Sequence, residues 1–159
     1  QVVWSTDAGL EIEPRRSQDR AFRGNIVEAI AAYSSGKLGE VSFRLCEIDR
    51  IIAIGSDRMM RAIKNARKTF TQLKPGHVAI GSINSPMQCM MKEVCAQCLQ
   101  RHVDPETGRE KFVFSCFNQD QPLDSVDFDN LHDRLRANSF QEKFSNLWLD
   151  YLLTKTRGR

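Results

Sequence analysis

The apolar positions of the chain change period several times, and each change marks an element. Val2-Val3-Trp4-Ser5 is a short strand-like run, followed by a polar loop from Asp7 to Arg20 that contains Gly9 and Pro14. Helix signals begin at Gly24-Asn25, where Ile26, Val27, Ala29, Ile30 and Tyr33 form an apolar stripe and Gly36 supplies a stop. Val41, Phe43 and Leu45 alternate with Ser42, Arg44 and Cys46, the pattern of a half-buried strand or an extended insertion. Ile51 to Ile54 is unbroken apolar, as in a parallel strand covered on both faces. Ser56 or Asp57 then caps a helix predicted to run through Phe70 on Met59, Met60, Ile63 and Ala66. After Pro75-Gly76, His77 to Ile80 supplies another buried strand. The alternation from 50 to 80 predicts a βαβ unit and hence part of an open parallel sheet flanked by helices.

Beyond Ser82 the pattern changes. Gln100 to Val103 and Glu110 to Phe114 flank the turn sequence Asp104-Pro105-Glu106-Thr107-Gly108, which predicts a β-hairpin. Asp127 caps a helix to about Ala137, and Asn138 or Ser139 starts another through Leu153, with Phe140, Phe144, Leu147, Trp148, Tyr151 and Leu152 as its apolar face. A basic tail follows. The expected fold class is α/β, divided at about 1–82 (parallel sheet), 83–124 (a small cysteine-rich subdomain) and 125–159 (a helical extension).

Composition narrows the class. Of 159 residues, 41% are hydrophobic and 27% charged, with both signs interspersed, so a packed core is expected rather than disorder. No apolar run approaches the roughly 20 residues of a membrane span, and the first residues lack the profile of a signal peptide. The net charge of +3 is too mild to argue for nucleic acid. A cytoplasmic chain that touches neither membrane nor nucleic acid is expected.

The five cysteines carry the candidate chemistry. Three lie within ten residues, a poor disulfide framework but a good metal loop. The spacing Cys89-x5-Cys95-x2-Cys98-x17-Cys116 is close to the C-x4-C-x2-C…C of plant-type 2Fe–2S proteins. Two bridged irons need two thiolates each, so one loop supplies three and a returning strand the fourth. Across the spacer Ala96-Gln97, backbone N–H groups can approach the sulfurs. A four-cysteine zinc site has similar needs, though zinc ribbons usually carry two C-x2-C knuckles and only one is present. A redox pair at Cys95 and Cys98 would leave Cys89 and Cys116 unexplained. Cys46 stands apart and is expected to be an ordinary core residue. His77, His102 and His132 have no ligand spacing, and no carboxylate pair suggests acid–base work.

Several segments resemble the ferredoxin–NADP reductase superfamily. Ile54-Gly55-Ser56-Asp57-Arg58-Met59-Met60 resembles its strand-Gly-Pro-x-x-Met-Met segment, Ser5-Thr6-Asp7-Ala8-Gly9 its Thr-Asp-Asp-Gly, and Arg23-Gly24-Asn25-Ile26-Val27 its Lys-Gly-x-Val-Thr. Ser82 to Met87, the cysteines, and Val126 to Leu131 resemble one branch. It contains the electron-transfer subunit of dihydroorotate dehydrogenase and the small subunit of NADH-dependent ferredoxin–NADP oxidoreductase. The resemblance implies a 2Fe–2S cluster on Cys89, Cys95, Cys98 and Cys116, and nicotinamide contacts at Gly55, Ser56, Asp57 and Met59. It also implies an upstream FAD-binding domain, NAD(P) as the nucleotide, and a partner oxidoreductase subunit that takes the electrons. By their own chemistry, Met87, Met90 and Met91 either shield the cluster with soft, adaptable side chains or serve as plain packing. The family's glycine-rich nucleotide turn and flavin barrel have no counterpart here, and Cys89 lies six positions before Cys95 where the family has five. The chain is therefore expected to have no nicotinamide-dependent activity by itself, since a flavin must stand between hydride and single electrons.

Overall fold

The computed structural model describes residues 1–83 and 89–157, and Asn84 to Gln88 and Gly158-Arg159 lie outside them. The chain folds as mixed α/β with three small sheets and four helices among the described residues.

The first unit is built from β1 (Val3–Thr6), β2 (Arg20–Arg23) and α1 (Ile26–Ser34). β1 and β2 run parallel, Val3 opposite Arg20, so the loop expected to be wholly polar ends in a strand. Its entry is tied by Asp19, whose buried carboxylate accepts from the Val2 N–H at 2.8 Å and from Arg16. Asn25 caps α1 through the N–H groups of Val27 and Glu28, while Glu28 returns the bond to the Asn25 N–H, a closed capping box. The segment from Val41 to Cys46 is not a strand. It bends and closes into a short 3-10 turn, Leu45–Glu47, held by Arg44 against Glu47, and this leaves Cys46 exposed rather than in the core.

The centre is the expected βαβ unit: β3 (Arg50–Ile54), α2 (Asp57–Ala66) and β4 (Val78–Ser82), with β3 and β4 parallel from Arg50↔Val78 to Ile54↔Ser82. Ser56 caps α2 by accepting from the Met59 N–H. The helix ends at Ala66, four residues before Phe70, where Arg67, Thr69 and Phe70 turn back onto the carbonyls of Ile63 and Ala66. A third strand, β7 (Asp120–Pro122), adds antiparallel to β4. Between β4 and β7 the chain makes the expected hairpin, β5 (Leu99–Val103) with β6 (Glu110–Phe114), Leu99 opposite Phe114. Its turn is closed by Asp104, which accepts from the N–H groups of Glu106 and Thr107, and by Gly108 at φ +69°. α3 (Phe128–Asn138), capped by Asp127, and α4 (Phe140–Arg157) complete the chain.

One core joins these pieces. Ala53, Met60, Ile63, Ala79, Ile83, Leu123, Val126, Phe128 and Leu131 are buried together, so α2 and α3 cover one face of the β3-β4-β7 sheet. The other face is open: Ile52 is 59% and Ile54 70% exposed, with Val78 beside them. The expectation of a strand covered on both faces is thus met on one face only. One crossover helix lies on one side of its sheet. No helix among the described residues is long and apolar enough to cross a membrane.

Candidate functional site

The hairpin register dictates the first half of the cysteine site. Cys98 immediately precedes β5 and Cys116 follows β6 by one residue, so pairing Leu99 with Phe114 sets them side by side, and the Ser115 N–H donates to the Cys98 carbonyl at 3.0 Å. Both are buried. The Cys116 thiol is pushed up, first by its hydrogen bond with the Cys98 side chain, then by burial and by the charge of Cys98 and Cys89, with the Glu93 N–H working the other way.

The second half is the loop from Cys89 to Cys98. Met90, Met91, Glu93 and Ala96 all have left-handed backbone, with φ of 51°, 68°, 55° and 55°. None is glycine, and each such residue costs on the order of 1 kcal/mol. What the loop gains is direction. The N–H groups of Cys95, Val94 and Lys92 converge on the Cys89 sulfur, and the Glu93 N–H faces Cys116. These N–H groups, Cys95's foremost, bring the Cys89 thiol down to about 6 against burial, and the Cys95 side chain adds a further hydrogen bond. Cys89 and Cys95 are partly exposed. The Cys95 side chain hydrogen-bonds Cys89, the Cys98 side chain hydrogen-bonds Cys116, and Cys116 also feels the charge of Cys89, so the four thiols are gathered together, Cys89 and Cys95 partly exposed and Cys98 and Cys116 buried. As the side chains stand, no group of three or more His, Cys, Asp or Glu among the described residues is arranged to hold a metal ion. Cys46 lies away from the loop on the 3-10 turn. Met87 is outside the described residues, while Met90 and Met91 are exposed.

Two supports of the loop had no sequence signal. Arg134 of α3 donates to the Ala96 carbonyl at 2.7 Å, clasping the C-x2-C turn from a position 38 residues away. Ile83, just past β4, donates to the Gln119 carbonyl at 3.0 Å, and β7 continues that pairing. The C-x2-C turn is thereby tied to α3, and the chain just past β4 to the strand that follows Cys116. His102 on β5 is buried, and its Nε2 lies 2.5 Å from the Gln121 carboxamide oxygen, bracing β5 against β7.

A second candidate region lies at the start of α2. Gly55 and Ser56 are exposed at the carboxyl end of β3, and Ser56 is engaged as the helix cap. Asp57 is paired with His132 of α3 at 2.6 Å, which ties the two helices together. Met59 folds its thioether over Gly55, where an added Cβ would meet it at 2.7 Å. Met59 and Arg58 also line a cleft of about 790 Å³ with Trp4, Ser5, Asp7 and Asn25. Of the four residues, Met59 alone lines that cleft. Asp7, distant in sequence, lines it as well.

No family model matches the chain. An uncharacterized protein of Rickettsia prowazekii (strain Madrid E) is 48% identical over 65 residues, a stretch that is 41% of this chain and 9% of that protein. The match thus spans under a tenth of the length of its curated relative.

Proposed function

We propose that this chain is the electron-transfer part of a flavin-dependent oxidoreductase, holding a 2Fe–2S cluster on Cys89, Cys95, Cys98 and Cys116. The observation that carries the reading is the gathering of four thiols, two buried and two partly exposed, at a loop whose N–H groups converge on sulfur. A cluster of two irons asks for two thiolates at each iron, and a dianionic core asks for hydrogen-bond donors around it. Left-handed backbone at four non-glycine residues is kept where the surroundings require it. A lone zinc ion would need the same four thiolates, and the single C-x2-C knuckle at Cys95 and Cys98 favours it less.

When bound, such a cluster accepts and returns one electron at a time. The chain's own residues do three things. Cys98 and Cys116 would hold the group from the buried side, Cys89 and Cys95 would hold it from the surface side, and Arg134 ties the C-x2-C turn to α3 while β7 pairs with β4.

On the family resemblance an NAD(P) nicotinamide would lie by Gly55, Ser56, Asp57 and Met59, and Met59 borders the cleft at α1 and α2. The α1 N-terminus that faces it is already capped by Asn25, and the Glu28 carboxylate sits in the first turn, where it repels an anion. The phosphates and the flavin belong to upstream sequence in this reading.

Anaerobic purification from iron-replete cells tests the proposal. The expected result is a brown protein with iron and inorganic sulfide in equal amounts, about two of each per chain, and a rhombic electron paramagnetic resonance signal on reduction. Cys98→Ser should abolish the signal, and Cys46→Ser should leave it intact. A colourless protein holding one equivalent of zinc would overturn the proposal.

A further inference from the structure

The C-terminal helix presents an exposed apolar stripe, Phe140, Phe144, Leu147 and Tyr151, among the described residues. Over its 18 residues α4 touches little besides α3, and its three most exposed large side chains are Phe140, Leu147 and Phe144, at 76%, 69% and 65%. With Tyr151 they are spaced four, three and four residues apart, the seam of a two-helix pair. At 100° per residue, the stripe is flanked on one side by Lys143 and Asp150 and on the other by Trp148 and Lys155. Lys155 is taken up within its own helix, on the Tyr151 hydroxyl and ring. Lys143 and Asp150 make no ion pair among the described residues.

We propose that α4 is a self-association helix, and that two copies of this chain pair their α4 helices antiparallel about a two-fold axis between Asn146 and Leu147. Such an axis carries each flank of one helix onto the same flank of the other. Lys143 then meets Asp150 of the second copy, and Asp150 meets its Lys143, so the charges neutralise twice. The same axis interleaves the stripe: Phe140, Phe144, Leu147 and Tyr151 of one helix fall at heights between their counterparts on the other. A parallel pair would set the Lys143 flank against Trp148 and Lys155 and lose this match. The area is modest. A helix about 27 Å long covers on the order of 1,000 Å² in total when paired, the low end of specific interfaces. The expected dissociation constant is therefore on the order of 10 μM.

Sedimentation equilibrium of the 159-residue chain across that concentration range reads the mass directly. The expected outcome is twice the 18.2 kDa chain mass at high concentration, falling to the monomer on dilution. Leu147→Glu should give a monomer throughout, with an unchanged circular dichroism spectrum showing that the fold is intact. Lys143→Asp and Asp150→Lys should each weaken the dimer about ten-fold, and combining them should restore it. A monomer at every concentration overturns the proposal, as does a dimer indifferent to Leu147→Glu or a charge-swapped pair that stays weak. A monomer that instead floats with phosphatidylglycerol vesicles identifies α4 as a membrane-surface helix and overturns it equally. None of these readouts depends on the cluster, so they can fail or succeed separately from the electron-transfer reading.

Discussion

The two faces of the central sheet use neighbouring residues of the same strands and meet opposite fates. On one face Ala53, Ala79 and Gly81 lie under Met60, Ile63, Leu123 and Leu131. On the other, Ile52, Ile54 and Val78 stand in solvent, although their side chains are larger and more apolar. The covered face carries small residues at Ala53, Ala79 and Gly81, where neighbours approach closely, beside Ile51, which also packs against the core. A Cβ on Gly81 would sit 3.0 Å from Leu123. The open face keeps the bulky β-branched residues that parallel strands carry where something packs on them. Hydrophobicity decides which residues are able to be buried, and the reach of the neighbouring elements decides which of them are.

That contrast breaks most readily at Leu123, which is 0% exposed. Leu123→Ala leaves a cavity between β4, α2 and α3 and is expected to cost about 3 kcal/mol, read as a drop in the urea midpoint of the whole chain. A loss under about 1 kcal/mol would mean that the covered face is not a packed core.

A smaller, pH-dependent effect belongs to His102. Burial holds its imidazole below the ordinary 6.5, against the raising effect of Gln121 and with help from the charges of Lys111 and Lys64. The unfolded chain therefore takes up a proton that the folded chain resists. Above pH 6.5 both states are neutral and the group adds no slope; as pH falls below 6.5 toward the folded value, stability declines. Thermal melts of the wild type and of His102→Gln at a series of pH values check this. The variant should lack that part of the slope, and parallel curves would remove His102 as its source.

The smallest effect is expected on the open face. Ile52→Thr with Ile54→Thr should change the stability of this chain by no more than about 0.5 kcal/mol, since both side chains are mostly exposed. A loss near 2 kcal/mol or more, the scale of burying such side chains, would show that something covers them in solution and that the two faces are more alike than they stand here.

Much of this was legible along the chain. Asn25, Ser56 and Asp127 announce helix starts because a cap is a contact within three residues. Asp104 to Gly108 announces the hairpin for the same reason, and the hairpin implies that Cys98 and Cys116 lie together. The thiol spacing marked the candidate site. The strand β2 escaped notice, since Arg20-Ala21-Phe22-Arg23 has little apolar character and is held by its pairing with β1 and by Asp19. Cys46 was misplaced because alternation over six residues does not distinguish a strand from a bent segment ending in a 3-10 turn.

The sequence by itself determined the elements, the turn that closes the hairpin and the set of thiols, all products of short-range hydrogen bonding and periodicity. Tertiary structure decided which face of β3 is covered, which thiols are buried and which partly exposed, that Asp57 serves His132, and that Arg134 clasps the cysteine loop. These depend on atoms tens of residues apart arriving at one place. No local pattern encodes such an arrival, because its energy comes from burial and from partners that exist only once the chain has folded.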